Sequence, residues 1–299
     1  MAAALHGKRS VAGISTVYNF VHMTASFSRR ADVSVRMQSF FVVTPCGGSI
    51  DEVQQTVCSV KDVAAARPST AFQHHLVFNN GLTPDHMLAT EQSNYQCKIT
   101  DLGDVASRAQ ARNVALDDLA AASAKGLVCF LDAGDLLLNE GAIEQAFDDL
   151  DRLPPLNLRA FAGRIVGANL SSARRPRPLW TRKVGNPFFI GATFISTELA
   201  TTTRFSEGSK EDWKYWLELL ELDPHIELRN EIAYEYQVVS VTDHLRKKQR
   251  LLRTQYDFFA DYLGYGHGIR TTLSMIAHIA LAGGSWVRRL PLPGRKPQQ

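Results

Sequence analysis

Short apolar runs alternate with helical patterns along the first half of the chain, and this alternation limits the possible folds more than any other feature. The run "SFFVVTP" stops at Pro45, and "SIDEVQQTVCSVKDVAAA" follows it with Ser49 and Glu52 in capping-box spacing. The same order returns in "HHLVFNNG" before "VASRAQARNVALDDLAAASAKG", and in "LVCFLD" before "NEGAIEQAFDDLDRL". Continuous apolar runs are typical of parallel strands buried on both faces. The pattern therefore predicts an α/β fold with a mainly parallel sheet flanked by helices.

Polar residues follow three of the predicted strands at the point where each strand ends. They are Thr44, the pair Asn79 and Asn80, and the pair Asp132 and Asp135 in "FLDAGDLLL". In open α/β sheets, ligands bind beyond the carboxyl ends of the strands, so these residues should meet at one crevice.

Asp132 and Asp135 lie on a short turn and form an oxygen-ligand set for a hard divalent cation. Mg²⁺ or Mn²⁺ bound by one or two carboxylates usually keeps positions for substrate phosphates. The alternative is that both residues only end the strand and cap the turn, as Asp commonly does. The sequence by itself leaves both interpretations open.

Several common site motifs are absent from the sequence. It contains no GxxxxGK[ST] motif, no GxGxxG after a strand and no HExxH. Kinase-like, ordinary dinucleotide-binding and zinc-hydrolase classes therefore lose support.

Bulk charge and cysteine content exclude other classes. The net charge is +3, so we predict no nucleic-acid partner. The four cysteines contain no CxxC pair, which favours a reducing compartment and a cytoplasmic protein. No run reaches the roughly 18 apolar residues that a spanning helix requires.

Both ends of the chain differ in composition from the middle. Residues 1–37 are basic and begin with 31 residues that lack Asp and Glu, which is typical of a targeting segment or of a basic tail. Residues 246–299 read as a basic and amphipathic helical extension. Within it, residues 246–290 form either a solvated helix or a peripheral contact with the cytoplasmic face of a membrane.

The order of the motifs resembles the family 2 inverting glycosyltransferases of the GT-A fold. The motifs are "VVTP", "FNNG", "QARNVAL", "FLDAGD" and "KEDW", and the resemblance covers Ser39 to His244. It implies a GT-A domain at residues 38–245, with a Rossmann-like sheet. It also implies sugar transfer from a nucleotide-diphosphate sugar to a saccharide or lipid-linked hydroxyl acceptor, in cell-surface polysaccharide or glycolipid assembly.

The resemblance also implies roles for individual residues. The nucleotide-sugar pocket would be lined by Thr44, Pro45, Asn79, Asn80, Arg108, Arg112 and Asp132. Asp132 and Asp135 would hold Mg²⁺ or Mn²⁺. The family's usual Asp on the base-binding strand is Asn79 here, and Gly134 replaces the second Asp of the common Asp-x-Asp triplet.

The catalytic base implied by "KEDW" is Asp212, which would take the proton of the acceptor hydroxyl in a single in-line displacement. Glu211, Gly191 and Trp213 would contact the acceptor. Ser209 and Asp212 also have capping-box spacing, so helix capping is an alternative role. Trp213 has a second interpretation as a core residue.

Two other functions remain open at the level of sequence. One is a catalytically degenerate GT-A domain that acts as a binding or assembly module, favoured by Asn79 and Gly134. The other is a nucleotidyltransferase, which would share the phosphate site and would not need a base at Asp212.

Overall fold

The structure is a computed structural model of the 299-residue chain. It describes residues 38–79, 81–82, 93–103, 106–138, 141–150, 156–167, 170–183, 185–238, 256–264, 266 and 268–287. The extension predicted at residues 1–37, Asn80 and the basic stretch 246–253 lie outside the described residues.

Strands and helices alternate over the first half of the described chain, as predicted. The elements are β1 (Gln38–Cys46), α1 (Ile50–Ala65), β2 (Thr70–Phe78), β3 (Tyr95–Asp101), α2 (Arg108–Ala121) and β4 (Leu127–Phe130). The capping box predicted for Ser49 and Glu52 is present at the start of α1. Ser107 and Gln110 form a second capping box at the start of α2.

The second half contains shorter strands, one long strand and four helices. The strands are β5 (Leu136–Leu137), β6 (Leu158–Gly167), β7 (Leu170–Arg174), β8 (Thr193–Ser196) and β9 (Ile226–Val238). The helices are α3 (Ala142–Leu150), α4 (Thr197–Ala200), α5 (Glu211–Leu222) and α6 (Ile269–Val287). A π-helical turn, Phe258–Tyr262, precedes α6.

All nine strands belong to one sheet, in the order β3-β2-β1-β4-β8-β6-β9-β5, with β7 paired to β6. Strands β3, β2, β1 and β4 run parallel, so their carboxyl ends lie at the same edge of the sheet. Strand β8 pairs antiparallel with both β4 and β6, while β6 and β9 pair in parallel. The parallel half of the sheet therefore brings the polar residues at the ends of its strands to one edge.

Helices cover the sheet on both faces. Alternate residues of β1 point to opposite sides, so that Phe41 and Val43 belong to one buried cluster and Phe40 and Val42 to another. The first cluster includes residues of α2 and α5, and the second includes residues of α1 and α3. Burial on both faces explains why β1 has a continuous apolar sequence.

The described part of the C-terminal extension is helical and packs against α5. Trp213 and Leu217 of α5 form a buried cluster with Phe258 and Phe259. Among the described helices, none has the length and apolar character that crossing a membrane requires.

Candidate active site

A cavity of about 480 Å³ lies at the carboxyl ends of β1, β2 and β4, beside the N-terminus of α2. It is lined by Pro45, Gly47, Gly48, Asn79, Ala106, Ser107, Arg108, Asp132 and Ala133. Four of these residues, Pro45, Asn79, Arg108 and Asp132, were predicted from the sequence to line a nucleotide pocket. Two of them, Asn79 and Asp132, were also named by the strand-end argument.

Two arginines of α2 and two carboxylates form an ion-paired cluster beside this cavity. Arg112, which is 1% exposed, pairs through Nη2 with Asp132 Oδ1 at 2.5 Å and through Nη1 with Glu211 Oε1 at 3.4 Å. Arg108 pairs with the same two residues at 3.4 and 3.1 Å, and its side chain is about half exposed. The cluster joins β4, α2 and the start of α5, and its four formal charges cancel.

Burial by itself lowers the pKa of Arg112, but the charges of Asp132 and Glu211 more than offset that effect and raise it. Arg112 therefore stays charged although it is withdrawn from water. Its guanidinium carbon also lies 5.1 Å from the centre of the Phe205 ring, within cation–π distance.

Asn79 presents a hydrogen-bond acceptor at the end of β2. Its Nδ2 donates to the carbonyl oxygen of Ala106 at 2.9 Å, and a carbonyl oxygen can only accept, so the orientation of the amide is fixed. Its Oδ1 is buried and has no hydrogen-bond partner among the described residues. Asn79 therefore offers an oxygen acceptor, as an Asp at the same position would.

The two carboxylates predicted to share a cation face different surroundings. Asp132 reaches the cavity and the arginines, whereas Asp135 is 4% exposed. Tyr234 Oη donates to Asp135 Oδ2 at 2.6 Å, and the backbone N–H of Gln237 donates to Oδ1 at 3.4 Å. Burial, followed by the nearby charge of Asp132, raises the pKa of Asp135 to about 8. The two carboxylates therefore have different hydrogen-bond and ion-pair partners in this structure.

The turn between these carboxylates requires a glycine. Gly134 has a φ of +90°, and its N–H lies 2.9 Å from Thr56 Oγ1 and 3.1 Å from the carbonyl oxygen of Glu52. The turn is thus fixed against α1. The described part of the chain contains no group of three or more His, Cys, Asp or Glu side chains able to hold a metal ion.

Asp212 lies at the start of α5 without capping it. The helix begins at Glu211, and its N-cap is Lys210, which has a left-handed backbone (φ 63°) and makes no side-chain capping bond. The Ser209–Asp212 capping box is therefore not formed. Asn186 Nδ2 instead donates to Asp212 Oδ2 at 2.5 Å. Burial, with the charge of Glu211, raises the pKa of Asp212, although Arg112 acts in the opposite direction.

Three other predicted site residues are buried. Thr44 Oγ1 is hydrogen-bonded to His74 Nε2 at 2.8 Å, and His74 Nδ1 to Tyr95 Oη at 3.0 Å. A Cβ atom on Gly191 would lie 2.3 Å from Tyr234 Cδ2, so this glycine allows close packing. Trp213 is 1% exposed, and its indole N–H donates to the carbonyl oxygen of Arg182 at 2.8 Å. The structure therefore does not support acceptor contacts for Gly191 and Trp213, and it supports the core interpretation of Trp213.

Sequence reasoning missed four residues near these groups: Lys210, Asn186, Tyr234 and Arg177. Asn186 and Tyr234 lie 26 and 99 residues from the aspartates that they contact, and no short motif connects them. The basic composition of "SARRPRPLWTRK" was the one available signal for Arg177.

The chain matches no protein-family model and no curated protein sequence. It is similar in structure to S. aureus TarS, residues 1–349, with a TM-score of 0.52, 15% identity, and coverage of 82% of this chain and 72% of that one. TarS in complex with UDP-GlcNAc gives a TM-score of 0.51 and 15% identity over 85% and 82% of the two chains. The mannosyltransferase PcManGT from Pyrobaculum calidifontis, in complex with GDP-Man and Mn²⁺, gives 0.55 and 14% identity over 85% and 76%.

These neighbours share the overall fold described above, in which helices flank a mainly parallel sheet. At 14–15% identity the likeness concerns the fold. The predicted fold class is confirmed: this chain has the GT-A fold of nucleotide-sugar glycosyltransferases.

Proposed function

We propose that this protein is an inverting glycosyltransferase that moves a sugar from a nucleotide-diphosphate sugar to a hydroxyl acceptor. The observation that carries the proposal is the placement of Asp212, a carboxylate with a raised pKa, beside the arginine cluster at the cavity. The glycosyltransferases of similar fold, two of them in complex with UDP-GlcNAc and GDP-Man, support it.

The donor diphosphate would bind at the N-terminus of α2. Arg108 lines the cavity and is about half exposed, so it can turn from Asp132 toward a phosphate oxygen. The positive end of the helix dipole favours an anion at the same place. Asn79 Oδ1 would accept a hydrogen bond from a ring N–H of the base, a group that uracil and guanine both carry.

Asp132 is the residue that would hold Mg²⁺ or Mn²⁺. It is a partly exposed carboxylate on the cavity wall, and one protein carboxylate together with substrate phosphates is a usual binding mode for these cations. The bound cation would stabilise the charge of the departing nucleoside diphosphate. Asp135 would bind the same cation only if its carboxyl group lost the hydrogen bond from Tyr234 and its proton.

The transfer would be one displacement. The acceptor oxygen forms a bond to the anomeric carbon while the bond from that carbon to the phosphate oxygen breaks, and the electron pair leaves with the nucleoside diphosphate. Asp212 takes the proton of the acceptor hydroxyl. A carboxylate whose pKa is raised toward neutral pH is a stronger base, and the hydrogen bond from Asn186 fixes its orientation.

The variant Asp212→Asn tests the proposed base. We expect kcat, followed as release of nucleoside diphosphate, to fall by about 10² to 10⁴-fold, because the amide cannot accept the proton. Calorimetric binding of UDP or GDP should stay within about twofold of wild type. Ser209→Ala is the matched control for the capping role and should keep full activity. Equal turnover by Asp212→Asn and wild type would reject the proposed base.

Cation dependence is tested at Asp132. Calorimetry of UDP, GDP, dTDP and CMP, with and without Mn²⁺, should show one nucleotide whose binding requires the cation. Asp132→Asn should remove that requirement together with most of the affinity. Cation-dependent binding that is lost in Asp135→Asn and retained in Asp132→Asn would transfer the role to Asp135.

A catalytically degenerate GT-A domain is the second candidate function. It is favoured by Gly134 at the position of a family carboxylate and by the inward hydrogen bonds of Asp135. This function would be established by nucleotide binding that does not depend on the cation, with no turnover and no change in binding in Asp212→Asn.

The cellular role that we propose is cell-surface polysaccharide or glycolipid assembly at the cytoplasmic face of a membrane. Ile269, Leu273 and Ile276 lie along one face of α6 and are 76%, 59% and 56% exposed. Such a stripe, beside basic residues, is typical of helices that lie in a membrane interface. Replacing all three with Ser should reduce co-sedimentation with anionic liposomes, and unchanged sedimentation would reject the membrane contact.

A further inference from the structure

A basic loop, defined as residues 174–187, connects β7 to the segment before β8. It carries Arg174, Arg175, Arg177, Arg182 and Lys183. The sequence contains no Asp or Glu between Asp151 and Glu198, so no acidic neighbour in the loop balances these charges. The loop is therefore a concentrated positive segment.

Hydrogen bonds hold the basic loop against the start of α5. The backbone N–H of Arg177 donates to the carbonyl oxygen of Pro187 at 2.9 Å. Asn186, which precedes Pro187, donates through its side chain to Asp212. Between these two points of the loop, the carbonyl oxygen of Arg182 accepts a hydrogen bond from the indole N–H of Trp213. The loop thus contacts both the proposed base and the residue that follows it.

Arg177 is a half-buried cation without an anion. Its Nη1 is buried and has no hydrogen-bond partner among the described residues, and no described carboxylate lies within ion-pair distance. Burial lowers the pKa of Arg177, and no neighbouring charge counteracts it. A guanidinium withdrawn from water is stabilised by a paired anion, and its planar fork fits a phosphate or carboxylate.

We propose that the hydroxyl acceptor of this enzyme carries a phosphate ester group, and that Arg177 and the basic loop, which contacts Asp212 through Asn186, bind this phosphate. The inference rests on the proposed function and names its acceptor class. Phosphate is favoured over a single carboxylate because the loop presents several cations besides Arg177. The phosphate takes no part in the bond changes: it holds the acceptor so that a hydroxyl reaches Asp212.

The loop also offers an apolar surface for the rest of such an acceptor. Trp180 lies on its short helical turn, Leu179–Thr181, and is 76% exposed. An exposed indole ring offers a flat apolar face against which a sugar or polyol can pack. Trp180 of the loop therefore has an exposed indole ring, whereas Trp213 is buried.

The experiment measures binding of three probes to the full chain by calorimetry. Glycerol is the neutral probe, glycerol 3-phosphate is the monoester, and glycerophosphoglycerol is the diester. The donor site is first saturated with the nucleotide that binds it, so that the phosphates cannot bind there. We expect a phosphate probe to bind and glycerol not to bind.

Arg177→Gln should weaken phosphate binding by about tenfold or more, because a charge-assisted pair is lost. Arg177→Lys, which keeps the charge without the fork, should give an intermediate value. Arg270→Gln removes the same charge from an exposed position on α6 and should leave binding unchanged. Circular dichroism of each variant shows whether it is folded.

The two phosphate probes distinguish the sources of the group. Tighter binding of the monoester indicates a small phosphorylated acceptor, and tighter binding of the diester indicates a polymer or lipid headgroup. Equal phosphate affinity in wild type and Arg177→Gln, or no phosphate binding by a folded protein that still binds its nucleotide, would overturn the inference while leaving the donor site intact. Loss of nucleotide binding in wild type would instead count against the proposed function.

Discussion

Arg112 and Arg177 are both withdrawn from water, the first wholly and the second in part, and they differ in their partners. Arg112 on the donor side contacts Asp132 and Glu211, which raise its pKa. Arg177, in the basic loop, has no described carboxylate partner, and burial lowers its pKa. The comparison indicates that Arg112 holds the site together through its ion pairs, whereas Arg177 is suited to bind an anion from outside the chain.

The comparison also locates the two halves of the proposed reaction. The donor side is built from residues of β2, β4, α2 and α5 whose charges cancel before any ligand binds. The acceptor side is the basic loop, in which Arg177 Nη1 is buried without a hydrogen-bond partner among the described residues. Asp212 lies between them, since Asn186 of the loop donates to its carboxylate and Arg112 interacts with it electrostatically.

The largest effect on stability is expected for Arg112→Met. Removing this guanidinium leaves Asp132 and Glu211 with only the half-exposed Arg108, so the free energy of unfolding should fall by about 3 kcal/mol. Urea denaturation of variant and wild type measures the difference. Arg204→Met is the matched control, because Arg204 pairs with Asp117 at the surface and should contribute less than about 1 kcal/mol. Equal losses in the two variants would show that Arg112 contributes no more to stability than a surface arginine does.

A smaller loss in the free energy of unfolding is expected at acid pH, and it arises from two histidines of β2, on the donor side. Burial, followed by the charge of Lys98, lowers the pKa of His75 to about 4, and burial lowers that of His74 to about 3. Both are depressed below the unfolded value near 6.5, so their neutral forms belong to the folded state. Stability is thus fully present above pH 6.5 and is lost as the pH falls toward 4.

The acid effect is measured as the free energy of unfolding between pH 7.5 and 4.5. His75→Asn should reduce the loss over this range by about 2 kcal/mol, because one buried base no longer has to gain a proton. His225→Asn changes an exposed histidine and serves as the control. A profile for His75→Asn that superimposes on wild type would show that His75 does not contribute.

The sequence predicted the parts of this site that depend on local rules. Strand ends in a parallel sheet meet at one edge, and this rule placed Asn79 and Asp132 at one cavity, although Thr44 and Asp135, which it also named, do not line it. Capping-box spacing was correct for Ser49, where an apolar periodic helix follows directly. The same spacing was wrong at Ser209, because Lys210 adopts a left-handed backbone and the helix starts one residue later.

The remaining features depend on tertiary contacts that spacing does not encode. Asp135 looked equivalent to Asp132 in the sequence, but Tyr234, 99 residues away, binds it inside the protein. The aromatic residues of "KEDWKYW" gave no sign that Phe258 and Phe259 would cover Trp213. Arg177 was visible only as one of several basic residues, because its missing partner is a property of the folded chain.

The smallest effect, and the sharpest test of the comparison, is expected for Arg177→Met. A methionine keeps the apolar stem and removes a desolvated charge, while the backbone hydrogen bond from residue 177 to Pro187 is unaffected. The free energy of unfolding should therefore equal the wild-type value or exceed it by about 0.5 kcal/mol. Adding glycerol 3-phosphate should raise the melting temperature of wild type and leave that of the variant unchanged, because only the native site with its arginine binds the anion. A loss of stability as large as that of Arg112→Met would show that Arg177 has a structural anion within the chain, and the two arginines would then have the same role.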